Sequence, residues 1–157
     1  MIPVVAPIPH SAGRGAFRFQ RTPTHVHQGV DLAAPEGAIV RAAAAGVVSR
    51  LIDRPGTIGF RGYGRAIVLR HQIPELGGQV FTLYAHLSRI VPSLAVGDVI
   101  AEGEPIGNVG RTCDTRADAS HRCGGPHLHF ELSASSYPQA SEAPRLDPLF
   151  FSPENRT

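Results

Sequence analysis

The sequence contains no lysine and no long apolar run, and each of these two absences excludes a class of protein. All 15 basic residues are arginine, which excludes both a phosphate-binding loop ending in Gly-Lys-Ser/Thr and a Schiff-base lysine. No apolar run approaches the roughly 20 residues of a membrane span. The first residues also lack the charged and apolar regions of a signal peptide. We therefore expect a chain without a membrane span.

Length and composition indicate one domain rich in turns and short strands. The chain has 157 residues, of which 42% are hydrophobic, with 17 glycines and 14 prolines. This size suits a single domain over residues 1–157, with a core at about 22–150 and peripheral ends. The formal net charge of +2 is spread over scattered arginines, so we expect no nucleic-acid binding.

Several segments have the patterns of β-strands. Residues 64–71 are apolar at their centre, and residues 79–86 follow as a hairpin partner. Further strands are expected at 46–52, at 106–110 and around 28–32. Within 79–86, alternation predicts that His86 faces away from the core together with Thr82 and Tyr84. These patterns favour an all-β fold, an antiparallel sheet sandwich with little helix and with a groove walled by loops.

Two histidines are expected to project side by side from residues 126–132. Alternation places His127, His129 and Glu131 on one face of this strand and apolar residues on the other. A solvated pair of histidines fits this pattern about as well as a metal site does. Glu131 either orients a ligand from behind or is an exposed strand residue.

A histidine and an aspartate have the even spacing that places side chains on one face of a strand. His27 and Asp31 are separated by Gln-Gly-Val. Alone, the pair is more typical of a surface histidine and a capping aspartate. Together with the histidine pair at 127–129, however, it can offer two imidazoles and one carboxylate, which leave a fourth tetrahedral position open, as in catalytic zinc sites. Gly29 between them either allows close backbone contact or is a turn glycine.

Several motifs in order resemble the lysostaphin-like zinc metallopeptidases, the M23 family with its LytM-type catalytic domain. The segment His-Gln-Gly-Val-Asp at 27–31 is similar to the family's His-x-Gly-x-Asp motif. Tyr-Ala-His-Leu-Ser at 84–88 and His-Leu-His-Phe-Glu at 127–131 resemble its central and final motifs. Residues 96–107 and the Asp-Pro-Leu at 147–149 are also similar to family segments, whereas residues 17–21 only loosely match the family's Phe-Gly-x-Arg segment.

The resemblance implies a site and a fold. It assigns Zn²⁺ to His27, Asp31 and His129, and catalysis to His86 and His127, and it implies a duplicated hybrid-motif sheet. We expect His86 or His127 to act as the general base while the other stabilises the oxyanion. The sequence leaves open which residue takes which role.

The resemblance also implies a zinc-dependent endopeptidase that hydrolyses peptide cross-links of bacterial peptidoglycan. We expect a monomer acting outside the cytoplasm, in the periplasm, as a secreted protein or delivered to the wall by a phage. The alternative is a noncatalytic module of the same fold that binds the cell wall or an amidase. A carrier module with a modified lysine is excluded by the absence of lysine.

Cys113 and Cys123 lie shortly before the final motif and lack the Cys-x-x-Cys spacing of a zinc ribbon. We expect them to form a disulfide, which would be worth roughly 2.5 to 3 kcal/mol for so short a loop. Two buried free thiols are the alternative.

Overall fold

The fold consists almost entirely of β-strands. The computed structural model describes residues 16–54, 57–60, 62–113, 122–139 and 144–152, without the side chains of Arg122 and Cys123. Within these ranges there are short 3-10 helices at Pro74–Leu76 and Pro148–Phe151, and no helix long and apolar enough to cross a membrane. The strands are β1 (Gln20–Thr22), β2 (His25–Val26), β3 (Val30–Ala33), β4 (Ile39–Arg41), β5 (Gly46–Ile52), β6 (Arg65–Ile73), β7 (Gly78–Ile90), β8 (Val99–Ile100), β9 (Pro105–Thr112), β10 (Arg122–Ser133) and β11 (Arg145–Leu146). The all-β expectation is confirmed.

The strand pairings are antiparallel throughout the described residues. Strands β1 and β2 form a small hairpin, and the other nine form one sheet in the order β11-β10-β9-β7-β6-β5-β8. Strand β3 pairs with β10 and β4 with β9, outside this path. The expected hairpin of residues 64–71 and 79–86 is present as β6 and β7, and the expected strand at 46–52 matches β5.

Two apolar clusters cover the two faces of the central strands. The larger one contains Leu128 and Phe130 of β10, with Val30 and Leu32 of β3 and Tyr84 of β7. The smaller one packs Leu83 and Ala85 of β7 with Phe60, Val68 and Tyr137. Because both faces of β7 are buried, its sequence reads as a nearly continuous apolar run.

Strand β10 is central to the arrangement because it has a different partner on each side of its second half. His129 lies opposite Asp31 of β3 and also opposite Ala85 of β7. Directly opposite residues share a face and stand close together. One strand thus brings together side chains that are about 100 residues apart in the sequence.

A β-bulge in β7 decides where His86 points. Arg65 of β6 lies opposite Leu87, but Ile67 lies opposite Tyr84, so two residues of β6 match three of β7. His86 takes a left-handed φ of 61°, which is uncommon for a residue other than glycine, and its N–H donates to the Tyr63 carbonyl at 2.8 Å. The predicted face of His86 was wrong, because the bulge interrupts the alternation.

Thr82 and Tyr84 are both fully buried rather than facing away from the core, and Tyr84 belongs to the larger cluster. The Tyr84 hydroxyl accepts hydrogen bonds from the Ala43 N–H at 3.0 Å and from the Thr82 hydroxyl at 3.1 Å. The polar groups of these two residues are therefore satisfied inside the core.

Gly29 allows the segment before β3 to lie directly against β10. An added Cβ at this position would lie 2.3 Å from the Phe130 carbonyl oxygen and 2.8 Å from Cγ of Glu131. Of the two explanations for this glycine, close backbone contact is therefore the correct one. The expected strand around 28–32 begins only at Val30, so His27 lies in the connection between β2 and β3.

We predict that Gly29→Ala lowers the free energy of unfolding by about 1–3 kcal/mol, because the added methyl group must push β3 away from β10. Chemical denaturation measures this change. Gly125→Ala is the control, since a Cβ there meets nothing within 4 Å. Equal stability of the two variants would contradict the close contact.

Candidate metal and catalytic site

Three side chains that are expected to bind metal converge at one point. His27 Nε2 lies 3.1 Å from Asp31 Oδ1 and 3.1 Å from His129 Nδ1. His129 Nδ1 lies 2.8 Å from Asp31 Oδ1. One donor atom from each residue therefore faces the same small volume, and His27 and His129 are both buried.

The chemistry of this donor set suits zinc. Two imidazole nitrogens and one carboxylate oxygen are typical ligands of a catalytic zinc ion. Tetrahedral ligands about 2.0–2.1 Å from zinc stand roughly 3.3 Å apart. The observed separations of 2.8 to 3.1 Å are slightly shorter, so a small outward movement would accommodate the ion.

The remaining nitrogen of each ligand histidine is held by an acceptor. His27 Nδ1 donates to the Ala16 carbonyl at 2.8 Å, which leaves Nε2 as the lone-pair nitrogen. His129 Nε2 donates to Glu131 Oε1 at 2.9 Å, which leaves Nδ1. Contacts of this kind fix the tautomer and the ring orientation of metal-binding histidines.

The two oxygens of Asp31 have different partners. Oδ1 faces the two histidines, whereas Oδ2 accepts a 2.6 Å hydrogen bond from Arg21 Nη2. Burial would raise the pKa of Asp31, but hydrogen bonds from His129 and His27 outweigh it and hold the pKa well below its usual range. The carboxylate is therefore ionised, and one oxygen is directed to the metal position.

His86 and His127 lie together beside the three ligands. Their ring centroids are 4.8 Å apart, and the His86 ring is 5.8 Å from that of His129. His86 Nδ1 donates to the Thr112 carbonyl and His127 Nδ1 to the Gly125 carbonyl, each at 2.8 Å. The Nε2 lone pairs of both rings are thus left for other partners, and His127 Nε2 lies 3.9 Å from Asp31 Oδ1.

The environment of His86 keeps its imidazole neutral. Burial, which is the largest cause, and the neighbouring His129 and His127 together lower its pKa to about 3. At neutral pH, His86 therefore has a lone pair at Nε2 that can accept a proton.

Glu131 belongs to this region and is not an exposed strand residue. Its side chain is 1% exposed and lies between His129 and Arg145. Burial would raise the pKa of Glu131, but the hydrogen bond and charge of His129 and the charge of Arg145 lower it to about 2. A buried glutamate is thus kept ionised next to His129, one of the three residues expected to bind metal.

Sequence reasoning missed three residues of this region to different degrees. Alternation had already placed Glu131 on the histidine face, so its orientation was available as a signal. Arg21 lies in the segment that only loosely matched a family motif, and its contact with Asp31 needed the β1–β2 hairpin to be known. Arg145 carried no signal, because its contact with Glu131 arises from the pairing of β11 with β10.

The predicted disulfide involves the side chain of Cys123, which lies outside the described residues. Cys113 follows β9 directly, next to Thr112, whose carbonyl holds His86. The disulfide stays a prediction.

Comparison with known proteins identifies the family. The profile described as Peptidase family M23 matches residues 25–141, a range that includes His27, His86, His127 and His129. The chain belongs to peptidase family M23. The expected family resemblance is thereby confirmed.

This M23 chain is also similar to curated proteins that are much longer. It is 42% identical over 113 residues to the DD-carboxypeptidase/endopeptidase Mpg of Neisseria meningitidis, a match that covers 72% of this chain and 21% of that protein. It is 30% identical over 130 residues to the peptidoglycan DD-endopeptidase ShyA of Vibrio cholerae, covering 77% of this chain and 25% of that protein. The chain thus spans about a quarter or less of these relatives.

Solved structures share the fold. The catalytic domain of lysostaphin from Staphylococcus simulans matches with a TM-score of 0.65 and 26% identity, covering 92% of this chain and 91% of that domain. A zinc-containing peptidase from Vibrio cholerae matches with a TM-score of 0.59 and 27% identity, covering 83% of this chain and 35% of that one. The M23 chain therefore has the lysostaphin-like fold.

The His129 imidazole predicts how metal binding depends on pH. Burial would lower its pKa, but hydrogen bonds to Asp31 and Glu131 outweigh burial and raise the pKa to about 9 in the metal-free protein. Below that pH, zinc must displace a proton from His129. We predict that apparent zinc affinity falls about tenfold for each pH unit below 9.

Competition with a calibrated chelator over a range of pH measures this affinity. The raised pKa means that the metal-free site holds its proton more tightly than free imidazole does, so the loss should begin above the ordinary histidine range. An affinity that stays constant from about pH 8.5 down to the usual histidine pKa near 6.5 would contradict the prediction.

Proposed function

We propose that this M23 peptidase is a zinc metallo-endopeptidase that hydrolyses peptide cross-links of bacterial peptidoglycan. The observation that carries the proposal is the convergence of His27 Nε2, Asp31 Oδ1 and His129 Nδ1 beside His86 and His127. A noncatalytic module of this fold would require neither a full set of metal ligands nor two further histidines beside it.

The activities for which the relatives are named support the substrate. Mpg is a DD-carboxypeptidase/endopeptidase and ShyA a peptidoglycan DD-endopeptidase. We infer that this chain also cleaves a bond at a D-amino acid of the peptide cross-link, rather than a glycine bridge. This substrate places its action outside the cytoplasm.

Zinc held by the three ligands would lower the pKa of a water molecule to about 7 and polarise the scissile carbonyl group. The protein supplies the rest of the chemistry from His86 and His127. Each presents Nε2 to the site, because its Nδ1–H is bound to a backbone carbonyl. One imidazole takes the proton of the attacking water at its Nε2 lone pair. The other has to carry a proton on Nε2 as well as on Nδ1, so that it can donate to the carbonyl oxygen as negative charge develops there.

Burial and the neighbouring histidines lower the pKa of His86 to about 3, so its ring is neutral at neutral pH but is a weak base. The low pKa therefore does not by itself assign the proton-acceptor role to His86. His127 is the more exposed of the two rings, and its Nε2 lies 3.9 Å from Asp31 Oδ1. The left-handed backbone at His86 is the kind of local strain that clusters at functional sites.

Digestion of purified sacculi tests the proposal. With zinc, we expect cross-linked muropeptide dimers to become monomers, each cleavage adding one water across a peptide bond that mass spectrometry locates. A chelator should stop the digestion, and added zinc should restore it. Sacculi that remain fully cross-linked in the presence of the zinc-loaded chain would exclude the proposed activity.

We predict that His86→Ala and His127→Ala each lower turnover by about 100- to 10,000-fold while zinc stays bound, because each removes a group that moves a proton or stabilises charge. Metal content and digestion rate are measured on the same preparations. His25→Ala is the matched control, since this histidine is exposed and lies on β2. A zinc-loaded variant with full turnover would remove its residue from catalysis.

A further inference from the structure

Four donors surround the carboxylate of Glu131. Oε1 accepts from His129 Nε2 at 2.9 Å and from the Tyr63 hydroxyl at 2.8 Å. Oε2 accepts from the Tyr137 hydroxyl at 2.7 Å and from Arg145 Nε at 2.8 Å. A carboxylate has about four acceptor positions, so the group is fully satisfied although it is buried. Such a charge is costly to bury unless it is paired in this way.

Arg145 connects the two segments that carry the ligand histidines. Its Nε binds Glu131, and its Nη2 donates to Gln28 Oε1 at 2.7 Å, one residue after His27. Arg145 itself is held by the pairing of β11 with β10, where it lies opposite Ser133. The planar guanidinium can engage both partners at once, which a lysine ammonium cannot do with the same geometry.

The orientation of His129 depends on this arrangement. His129 Nδ1 faces Asp31 and His27, and its Nε2–H is donated to Glu131. Once zinc displaces the proton between Nδ1 and Asp31, the lone pair of the neutral ring has to be at Nδ1. The opposite tautomer would keep the proton on Nδ1 and turn a lone pair toward Glu131, which is repulsive. Glu131 therefore discriminates between two states of the ring, of which one can hold zinc.

We propose that Glu131, fixed by Arg145, is the positioning residue that selects the zinc-binding tautomer of His129 and thereby sets the metal affinity of the site. The inference rests on the zinc site of the proposed function and deepens it. It assigns a role in metal binding to Glu131 and Arg145, neither of which belongs to the group of His27, Asp31 and His129.

The test is the zinc dissociation constant of Glu131→Gln, measured by chelator competition. An amide has one acceptor atom and one donor group, so it cannot satisfy His129 and Arg145 together. We expect zinc affinity to fall about 10- to 100-fold, and the visible absorption of the cobalt-substituted protein to change. Glu75→Gln, at an exposed glutamate of the first 3-10 helix, should match the wild type.

A purely structural role would give a different result. It would lower the melting temperature of the metal-free protein, while the folded fraction would keep the wild-type zinc affinity and cobalt spectrum. That outcome would overturn the proposal. If Glu131→Gln does not fold, Arg145→Lys decides instead, with zinc affinity expected to fall at least about threefold, since lysine retains the charge but not both contacts. Unchanged affinity would again overturn it.

Failure of the proposed function would be recognised separately. A wild-type chain that binds zinc but leaves sacculi intact would exclude the peptidoglycan reaction, and the role of Glu131 would still be decided by the affinity of its variant. A wild-type chain that binds no zinc would overturn both.

Discussion

The pairing of β10 with β3 on one side and β7 on the other is the constraint on which the site depends. It places His129 opposite Asp31 and opposite Ala85, the residue before His86. Cross-strand neighbours stand about 5 Å apart, a distance that side chains of this size bridge easily. Asp31 and His129, two of the three expected ligands, are thus fixed by backbone hydrogen bonds of a buried sheet, whereas His27 lies in the connection before β3. The sheet pairing favours a preorganised site.

The same strand joins stability and function. Leu128 and Phe130 of β10 are buried against β3 and β7. His127 and His129, which alternate with them along the strand, face the site. A one-residue slip of β10 would exchange these two sets, burying the histidines in an apolar core. Burial of the apolar face of β10 therefore maintains the register that places His127 and His129 in the site.

Each of the three residues expected to bind metal has a hydrogen-bond partner on the side away from the site. Asp31 is held by Arg21, His27 by a backbone carbonyl, and His129 by Glu131, which Arg145 holds in turn. Each ligand atom is oriented by a partner on its far side, so the ring and carboxylate rotations that would disperse the donors are restricted. His86 differs because a bulge, rather than a partner of opposite charge, turns it toward the group.

The sequence by itself determined the all-β class, the β6–β7 hairpin, the shared face of His127 and His129, and the family, because these follow from alternation along single strands and from short motifs. Only the tertiary structure decided the face of His86, the close contact at Gly29, and the contacts of Arg21 and Arg145. These features depend on which strands become neighbours and on where the register shifts. The alternation of side chains along a single strand predicts neither the neighbours nor the shifts. For the same reason, the alternation around Gln28 was wrong in placing His27 and Asp31 on one strand. His27 precedes β3, and the fold of the connection brings its ring to Asp31.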